Sequence, residues 1–370
     1  MRDNWTEATL GEVATWSTGK NLSASKRSSA GAHPILGANG LIGRTNEVLL
    51  DCDLITVGRV GACGETHRSA GPVWVSDNAL IAIPNNRVLI DYLYHVLSAF
   101  EYQTITSGTT QPLITQNKLK NQVIQLPPLA EQNRIVDVAA SVDAYIAALQ
   151  QQADQARTAR NAVLHELLTA GGDDWTETTL GELVNIQKGK KPPRLGDNTT
   201  TGQPYLTADV LRGSAPSQFV PQSALAACVQ LQGNETILLW DGAGAGDVFR
   251  STGGVLASTM AKLAIKQIGL IGADYLYLVV VNASPQIKSS CRGTTVPHVS
   301  PGALTALSLT LPPLSEQQRI VGIVSAMDDV VSATEKAVSN ADGLRTGLMS
   351  DLLSGDHEIP ESYDRLLGAA

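Results

Sequence analysis

The sequence contains two copies of one long unit, and this duplication constrains the fold more than any other feature. The segment Trp5–Glu12 recurs at Trp175–Glu182 as Trp-Thr-Glu-x-Thr-Leu-Gly-Glu, 170 positions later. The segment Leu126–Val136 recurs at Leu311–Val321 as Leu-Pro-Pro-Leu-x-Glu-Gln-x-Arg-Ile-Val, 185 positions later. A period of about 180 residues is far longer than that of a solenoid repeat. We therefore expect a whole domain and its connector to be present twice.

Each copy begins with a module of short apolar runs separated by Gly, Pro and Asn, a pattern typical of short strands. The Thr-Leu-Gly-Glu segment near the start of each copy is assigned to a strand. A Pro-Pro pair ends each module, at Pro127-Pro128 and Pro312-Pro313, because proline fits neither a helix interior nor a central strand. The two modules are therefore predicted to span residues 1–128 and 173–312.

A long helix is predicted after each Pro-Pro pair, over residues 129–172 and 313–355, with a tail at 356–370. Apolar residues recur there in steps of three and four, the heptad pattern of a coiled coil. The predicted seam positions are Ile135, Val138, Val142, Tyr145, Leu149, Gln152, Ala156, Ala159 and Val163 in the first copy, and Ile320, Ile323, Met327, Val330, Thr334, Ala337, Ala341, Leu344 and Leu348 in the second. A helix pair from a bundle would look similar. We favour a two-helix coiled coil because both seams share one length and register.

Charge is distributed unevenly along the chain. The formal net charge is −8, yet residues 1–128 and residues 173–314 each carry ten basic and ten acidic side chains, so the excess acid lies in the predicted helices and the tail. Neutral modules with basic loops can contact phosphate, but a DNA-binding protein with this balance needs basic partners. No run of 18 apolar residues and no apolar signal-peptide core is present, which predicts a cytoplasmic protein without a membrane partner.

Two glycine-rich segments lie at related places in the modules, at Gly58–Gly64 and Gly242–Gly246. The second has GxGxG spacing and is followed by a strand-like sequence, so its context argues against a Rossmann or P-loop site. Each segment fits a tight hairpin turn. Each also fits a loop whose missing side chains let the backbone approach a ligand, while Arg59 or Arg250 reaches a phosphate or a guanine edge. Both interpretations stay open.

Basic clusters follow the first strands of each module. A solvated surface is the ordinary interpretation of such clusters, but their matching places favour phosphate contacts. Hydroxyl-rich loops led by glycine precede each Pro-Pro pair and suit polar contacts with DNA, although they also fit helix-capping turns with Thr115 or Ser300 as the cap. The candidate DNA-binding residues are Lys20, Lys26, Arg27, Arg59, Thr109, Thr110, Gln111, Lys188, Lys190, Lys191, Arg250, Thr294, Thr295 and His298.

Catalytic signatures are missing from the sequence. No Asn-Pro-Pro-aromatic or Asp-Pro-Pro-aromatic motif of an amino-methyltransferase occurs, and no Walker A motif. The six histidines form no recognisable triad, and the four cysteines form no CxxC pair. The sequence therefore predicts a protein without catalytic residues, cofactor or metal of its own.

These features together resemble a known family, the specificity subunits of type I restriction–modification enzymes. The resemblance rests on the duplicated Thr-Leu-Gly-Glu opening, the Gly-Thr-Thr-x-Pro loops, and above all the two Leu-Pro-Pro-Leu-x-Glu-Gln-x-Arg-Ile-Val segments. It covers nearly the whole chain. The fold class it implies is α+β: two β-rich mixed target recognition domains joined by two long antiparallel helices that form a coiled coil, with pseudo-two-fold symmetry.

The resemblance also implies partners. Each recognition domain would read one half of a bipartite site in double-stranded DNA, and the helices would act as a ruler between the domains. Two methyltransferase subunits would dock on this scaffold, and two translocating nuclease subunits would join full restriction complexes. S-adenosylmethionine, ATP and Mg²⁺ would belong to those partners only. Three alternatives stay open: the recognition subunit of a type IIB-like restriction enzyme, a nucleotide-binding enzyme and a purely structural scaffold.

Overall fold

A computed structural model describes residues 4–108, 112–196, 202–293 and 295–367. The chain forms two compact units. The first contains Met1–Gln150 with Lys336–Ala370, and the second contains Gln151–Glu335. Each unit thus holds one module and one half of each long helix. The modules and helices predicted above are continuous stretches of the chain, whereas the first compact unit combines two separate stretches.

The first module consists of short strands and helices ahead of the first long helix. Its strands β1–β9 are Thr6–Thr9, Ala14–Thr18, His33–Gly37, Gly40–Thr45, Leu54–Gly58, Thr66–Ser69, Trp74–Val75, Ala79–Pro84 and Val123–Leu126; its helices α1–α3 are Leu10–Val13, Ile90–Ala99 and Gln116–Lys120, and the long helix α4 is Leu129–Thr169. Strands β2-β8-β5-β6 form an antiparallel sheet. Strands β4-β3-β7 form a second sheet in which β3 and β7 are parallel, and β1 pairs with β9.

The second module repeats this plan. Its strands β10–β19 are Thr176–Thr179, Val184–Lys188, Gly202–Leu206, Phe219–Pro221, Gln230–Leu231, Thr236–Leu239, Val248–Arg250, Gly254–Leu256, Met260–Ile265 and Ser308–Leu311; its helices α5–α8 are Leu180–Leu183, Ala208–Leu211, Ala273–Ser289 and Pro301–Thr305, and α9 and α10 are Leu314–Ser354 and Asp364–Leu367. The sheets are β11-β18-β15-β16, β13-β12-β17-β14 and β10-β19. Strands β12 and β17 pair in parallel, as β3 and β7 do. The predicted α+β fold with an internal repeat is confirmed.

The Thr-Leu-Gly-Glu segments are capping boxes, so assigning them to strands was wrong. Only Thr9 belongs to β1, and the next residues open the single turn α1. The Glu12 carboxylate accepts hydrogen bonds from the Thr9 backbone N–H (2.6 Å) and hydroxyl (2.9 Å). These bonds hold the pKa of the Glu12 carboxyl below its ordinary value. Thr179 and Glu182 form the same box in the second copy, so the motif starts a helix in both.

Both long helices complete the core of each unit. In the first unit, the α2 residues Tyr92 and Leu93 lie in one apolar cluster with Ile135 of α4 and Leu352 of α9. Ile359 of the tail is buried in the same cluster. In the second unit, the corresponding cluster contains side chains from α7, the end of α4 and the start of α9: Tyr275, Leu276, Leu164, Leu168, Ile320 and Val324. Each core therefore needs residues from both copies of the repeat.

The helix seam is partly as predicted and partly displaced by one residue. Val142, Leu149, Ala156 and Val163 are at least half-buried, and so are their equivalents Met327, Thr334, Ala341 and Leu348. Five of the eight alternate positions were wrong, whereas Val138, Ile323 and Ala337 are half-buried. Tyr145 is 62% exposed, Val330 is 56% and Leu344 is 75%, and Gln152 and Ala159 are exposed too. The residues one step later take their places: Ala139, Ile146, Ala153 and Arg160 on α4, and Val324, Val331, Val338 and Arg345 on α9.

Two arginines occupy displaced seam positions that an apolar pattern does not detect. In the second unit, Arg160 is 10% exposed in its side chain and donates to Asp328 at 2.7 Å. In the first unit, Arg345 forms the equivalent ion pair with Asp143. Each arginine pairs with the opposite helix and leaves little of its charge without a partner. Since the start of each helix faces the end of the other, the helices are antiparallel in both units.

A buried glutamine joins the start of each long helix to its module. Gln132 is fully buried, and its side-chain amide oxygen accepts from the Leu89 N–H at 2.8 Å. Its amide nitrogen donates to the Pro127 carbonyl at 2.9 Å and the Arg87 carbonyl at 3.1 Å. Leu89 is the N-cap residue of α2. The side chain thus supplies partners to three backbone groups that would otherwise lie buried and unpaired.

Gln317 makes the same contacts in the second copy. Its amide oxygen accepts from the Gly272 N–H at 2.9 Å, and Gly272 is the N-cap residue of α7. Its amide nitrogen donates to the Leu270 carbonyl at 2.8 Å and the Pro312 carbonyl at 2.9 Å. The glutamine of the repeated Glu-Gln-x-Arg segment is therefore a structural residue in both copies.

The C-terminal tail belongs to the first unit and packs on the start of α4. Arg134 is 8% exposed and donates to Asp364 at 2.6 Å, and the Tyr363 hydroxyl donates to Asp137 at 2.6 Å. The equivalent arginine of the second copy, Arg319, pairs within its own helix with Glu316. The two units therefore differ in the partner of this arginine, because only the first unit contains the tail.

We expect Gln132→Ala to lower the free energy of unfolding of the first unit by about 3 kcal/mol, because three hydrogen bonds to buried backbone are lost at about 1 kcal/mol each. The matched control is Asn133→Ala, since Asn133 is exposed on the next position of the helix. Denaturant unfolding and hydrogen exchange of the first turn of α2 measure the effect. Equal stability of the two variants would contradict the role of the glutamine.

Candidate nucleic-acid interface

The glycine-rich segment of the first module joins β5 to β6. A Cβ atom on Gly58 would lie 1.9 Å from the Ala62 carbonyl oxygen, and Gly64 has φ +91°, so glycine is required at both positions. The backbone of Arg59 donates to Asn78 and accepts from Ile114, which fixes its place. The Arg59 side chain is half-buried and makes no hydrogen bond or ion pair with another residue that the structure describes.

The hydroxyl-rich loop of the first module lies beside this segment. Thr109, Thr110 and Gln111 fall outside the described residues. On either side of them, Leu113 pairs with both Ser107 and Val60, the residue after Arg59. Thr115 caps α3 by accepting from the Lys118 N–H. The residues that flank the loop thus contact the glycine-rich segment and also form the cap of α3.

The second module brings the same two segments together. Asp241, at the position equivalent to Val60, pairs with His298 in an isolated bridge, and Trp240 takes the place of Arg59. The Gly242 N–H donates to the Pro297 carbonyl at 2.9 Å. Thr295 and His298 are exposed, and Thr294 falls outside the described residues. Ser300 caps α8 as Thr115 caps α3, so the duplication includes this juxtaposition of loops.

The basic residues of the first module lie around the β4-β3-β7 sheet. The Lys20 N–H donates to the Val75 carbonyl of β7 at 2.8 Å, and Arg27 forms a bridge with Thr45 at the end of β4. The side chains of Lys20 and Arg27 are exposed. Lys26 pairs with Glu47 at 3.2 Å. The structure therefore places Lys20 and Arg27 at the two edges of one sheet.

In the second module, Lys188 differs from the basic residues that follow it. Its ammonium group lies 2.8 Å from the Asp241 carboxylate and 5.9 Å from the centre of the Trp240 ring. Lys190, Lys191 and Arg194 are exposed, and none forms an ion pair with another described residue. All three are therefore available to a ligand.

Arg250 lies away from these loops, at the far end of the β15–β16 hairpin. The glycine-rich segment joins Leu239 to Val248, whereas Arg250 pairs in register with Thr236. Its guanidinium donates to Asp274 at 2.5 Å and to Asn234 at 2.7 Å, and its central carbon lies 4.4 Å from the centre of the Tyr277 ring. A DNA contact by Arg250 stays a prediction, but this geometry favours a structural role.

The first copy contains the same ion pair. Arg68 of β6 lies 2.5 Å from Asp91, and Asp91 and Asp274 begin the repeated Asp-Tyr-Leu-Tyr segments. In both copies the arginine therefore joins the edge strand of the sheet to the first turn of the module helix.

Sequence reasoning missed two cations beside the second glycine-rich segment. Arg212 and Lys288 each lie 2.6 Å from the Asp247 carboxylate, and a Cβ atom on Gly244 would lie 2.8 Å from the Arg212 guanidinium. Burial acts to raise the pKa of the Asp247 carboxyl, but the hydrogen bonds from Lys288 and Arg212 outweigh it and lower this pKa. Neither cation lies in a repeated motif, so no sequence signal marked them.

Other classes of site find no support among the residues that the structure describes. They contain no group of three or more His, Cys, Asp or Glu residues that could hold a metal ion. No helix in the described part of the chain is long and apolar enough to cross a membrane. The segment Gly242–Gly246 leads into strand β16 and not into a helix, as the sequence predicted.

Comparison with known proteins decides the family. The model described as Type I restriction modification DNA specificity domain matches residues 2–156 and 172–341. The chain belongs to this family. The two matched segments correspond to the two copies of the repeat, so the resemblance drawn from the duplicated motifs is confirmed.

Individual proteins similar to this chain are named as specificity subunits. The chain is 32% identical over 205 residues to the Type I restriction enzyme MjaVIII specificity subunit of Methanocaldococcus jannaschii; the match covers 52% of this chain and 48%, about half, of that relative. It is 25% identical over 313 residues to the putative MjaX specificity subunit of the same organism, covering 75% and 71%. A type I restriction–modification S subunit from M. genitalium shares the fold, with a TM-score of 0.53 and 17% identity over 96% of this chain and 97% of that one.

We expect Arg250→Met to lower the free energy of unfolding of the second unit by about 1 kcal/mol, through loss of the contact with Tyr277 and of a partly screened ion pair. The matched control Arg194→Met should change it by less than about 0.5 kcal/mol, because Arg194 is exposed. Denaturant unfolding gives both values. Unchanged stability of Arg250→Met together with weaker DNA binding would instead assign Arg250 to the DNA contact.

Proposed function

We propose that this protein is the DNA-specificity subunit of a type I restriction–modification complex and that each module reads one half of a bipartite site in double-stranded DNA. One observation carries the proposal. In both modules of a chain from the specificity family, a glycine-rich segment lies against a hydroxyl-rich loop, and exposed lysines follow the edge strand β2 or β11 of the same sheet. Polar loops of this kind supply base contacts, and lysines supply phosphate contacts.

The proposed DNA contacts are Lys20, Arg27 and Arg59 in the first module and Lys190, Lys191, Thr295 and His298 in the second. Lys26 and Lys188 are already paired with carboxylates, so they are the weaker members of the set. At the position of Arg59 in the first glycine-rich segment, the second segment has Trp240, which is buried. The two half-sites should therefore differ in sequence, because only the first module presents a guanidinium there to read a guanine edge.

The subunit itself performs no chemistry in this proposal. Two methyltransferase subunits dock on it and bring S-adenosylmethionine, and two translocating nuclease subunits, with ATP and Mg²⁺, join the full complex. The charge balance supports basic partners, since ten basic and ten acidic residues in each module give no net attraction for DNA. Because its target is the cell's DNA, we place the protein in the cytoplasm.

Methylome sequencing tests this function directly. Cells that express the chain with its methyltransferase partner should gain a bipartite adenine-methylation motif, and cells that lack either protein should not. Replacing residues 173–312 with the second module of another specificity subunit should change one half of the motif only, because each module has its own loops. A motif that appears without this chain would refute the proposal, and a swap that rewrites both halves would refute independent reading.

Salt dependence tests the phosphate contacts. For the chain assembled with its methyltransferase, Lys190→Ala should reduce the slope of log K against log salt by about one unit. Lys266→Ala is the matched control, since Lys266 is an exposed lysine at the opposite end of the β11–β18 pair. Equal slopes for wild type and Lys190→Ala would remove Lys190 from the interface.

A further inference from the structure

Two adjacent apolar side chains are exposed on the β3–β4 hairpin of the first module. Leu41 is 63% exposed and Ile42 is 48% exposed. Strand β4 is the edge strand of its sheet. Adjacent residues of a strand normally face opposite sides, but the register of this hairpin shifts at Ile35 and Leu36. An exposed apolar pair on an edge strand promotes aggregation unless something covers it.

The hairpin is held in place by contacts that only glycine allows. A Cβ atom on Gly37 would lie 2.8 Å from the Ile42 side chain, so Ile42 lies over the bare backbone of Gly37. A Cβ atom on Gly40 would lie 3.1 Å from the His67 ring. The Ala38 carbonyl approaches Gly58, next to Arg59. The turn therefore packs on the glycine-rich segment and presents its two apolar side chains beside it.

The charges around this hairpin favour a polyanionic partner. Arg27 joins β4 at Thr45 and Lys20 lies along β7, so exposed cations flank both edges of the sheet. Arg59 follows directly after the glycine that the turn contacts. Glu47 is paired with Lys26. An apolar pair on a sheet with exposed cations along both edges fits DNA, in which the only apolar group on a major-groove base edge is the thymine methyl.

The second module has a different element at the same place. There the chain leaves β12, the equivalent of β3, and forms α6 before it returns as β13. Arg212, the C-cap residue of α6, contacts the glycine-rich segment at Gly244. In both modules the connection after this strand touches the glycine-rich segment, but one presents two apolar side chains and the other a guanidinium.

We infer that Leu41 and Ile42 are specificity-determining residues that contact thymine C5-methyl groups in the half-site read by the first module. The inference rests on the proposed function and adds the base chemistry to it. Arg212 lies at the corresponding place in the second module, and its guanidinium is paired with Asp247. Methyl contacts from this connection would then belong to the half-site of the first module only.

Replacing thymine with deoxyuridine tests this without altering the protein. The change removes one methyl group and leaves every hydrogen bond in place. In the half-site of the first module, identified by the module exchange described above, it should weaken binding of the assembled complex about fourfold for each contacted methyl. The same replacement in the other half-site should have no effect. A first half-site without thymine, or one that binds equally well with deoxyuridine, would overturn the inference.

Variants of the protein provide the second arm. Leu41→Ser with Ile42→Ser should abolish the difference between thymine and deoxyuridine, whereas Val123→Ser, a 56% exposed apolar residue on β9, should retain it. If the double variant instead prevents assembly with the methyltransferase and deoxyuridine has no effect, the pair is a protein interface and the inference fails. If the wild-type complex binds no duplex selectively, the proposed function itself has failed.

Discussion

A single buried amide connects each long helix to its module. A helix that leaves a β-rich module through two prolines has unpaired backbone groups at its start, and so does the module helix that begins beside it. Gln132 and Gln317 each bond one carbonyl just ahead of the long helix, and one N–H and one carbonyl just ahead of the module helix. An apolar residue of the same size would leave these groups buried without partners. The direction in which each helix leaves its module therefore depends on one side chain that can both donate and accept.

The antiparallel helices then make the two copies interdependent. Each unit takes the first half of the helix that follows its own module and the last half of the other helix. The equivalent pairs Arg160–Asp328 and Arg345–Asp143 fix one register in both units. A duplicated gene thus yields two units that have the same plan, although neither is a continuous stretch of half the chain.

The sequence predicted most of the architecture, because duplication and proline placement depend on local residues. It failed where charge was buried. The predicted heptad positions omitted Arg160 and Arg345, which lie in the seam, because hydropathy counts arginines as surface residues. Arg250 was selected for its nearness in sequence to a glycine-rich segment, but the hairpin carries it to the far end. Arg212 could not be found, since it reaches the segment from an element that has no counterpart in the first copy.

The core of the first unit combines early and late parts of the chain, and this determines when the unit can fold during synthesis. Its core includes Met349, Leu352 and Ile359 as well as residues of the first module. A ribosome must therefore add residues up to Ile359 before this core can close. The second unit ends at Glu335 and has all its residues earlier. Domains of nascent chains usually fold from the N-terminus onward. Here the first unit is finished after the second unit. The core of the first module therefore stays incomplete while the second module is synthesised.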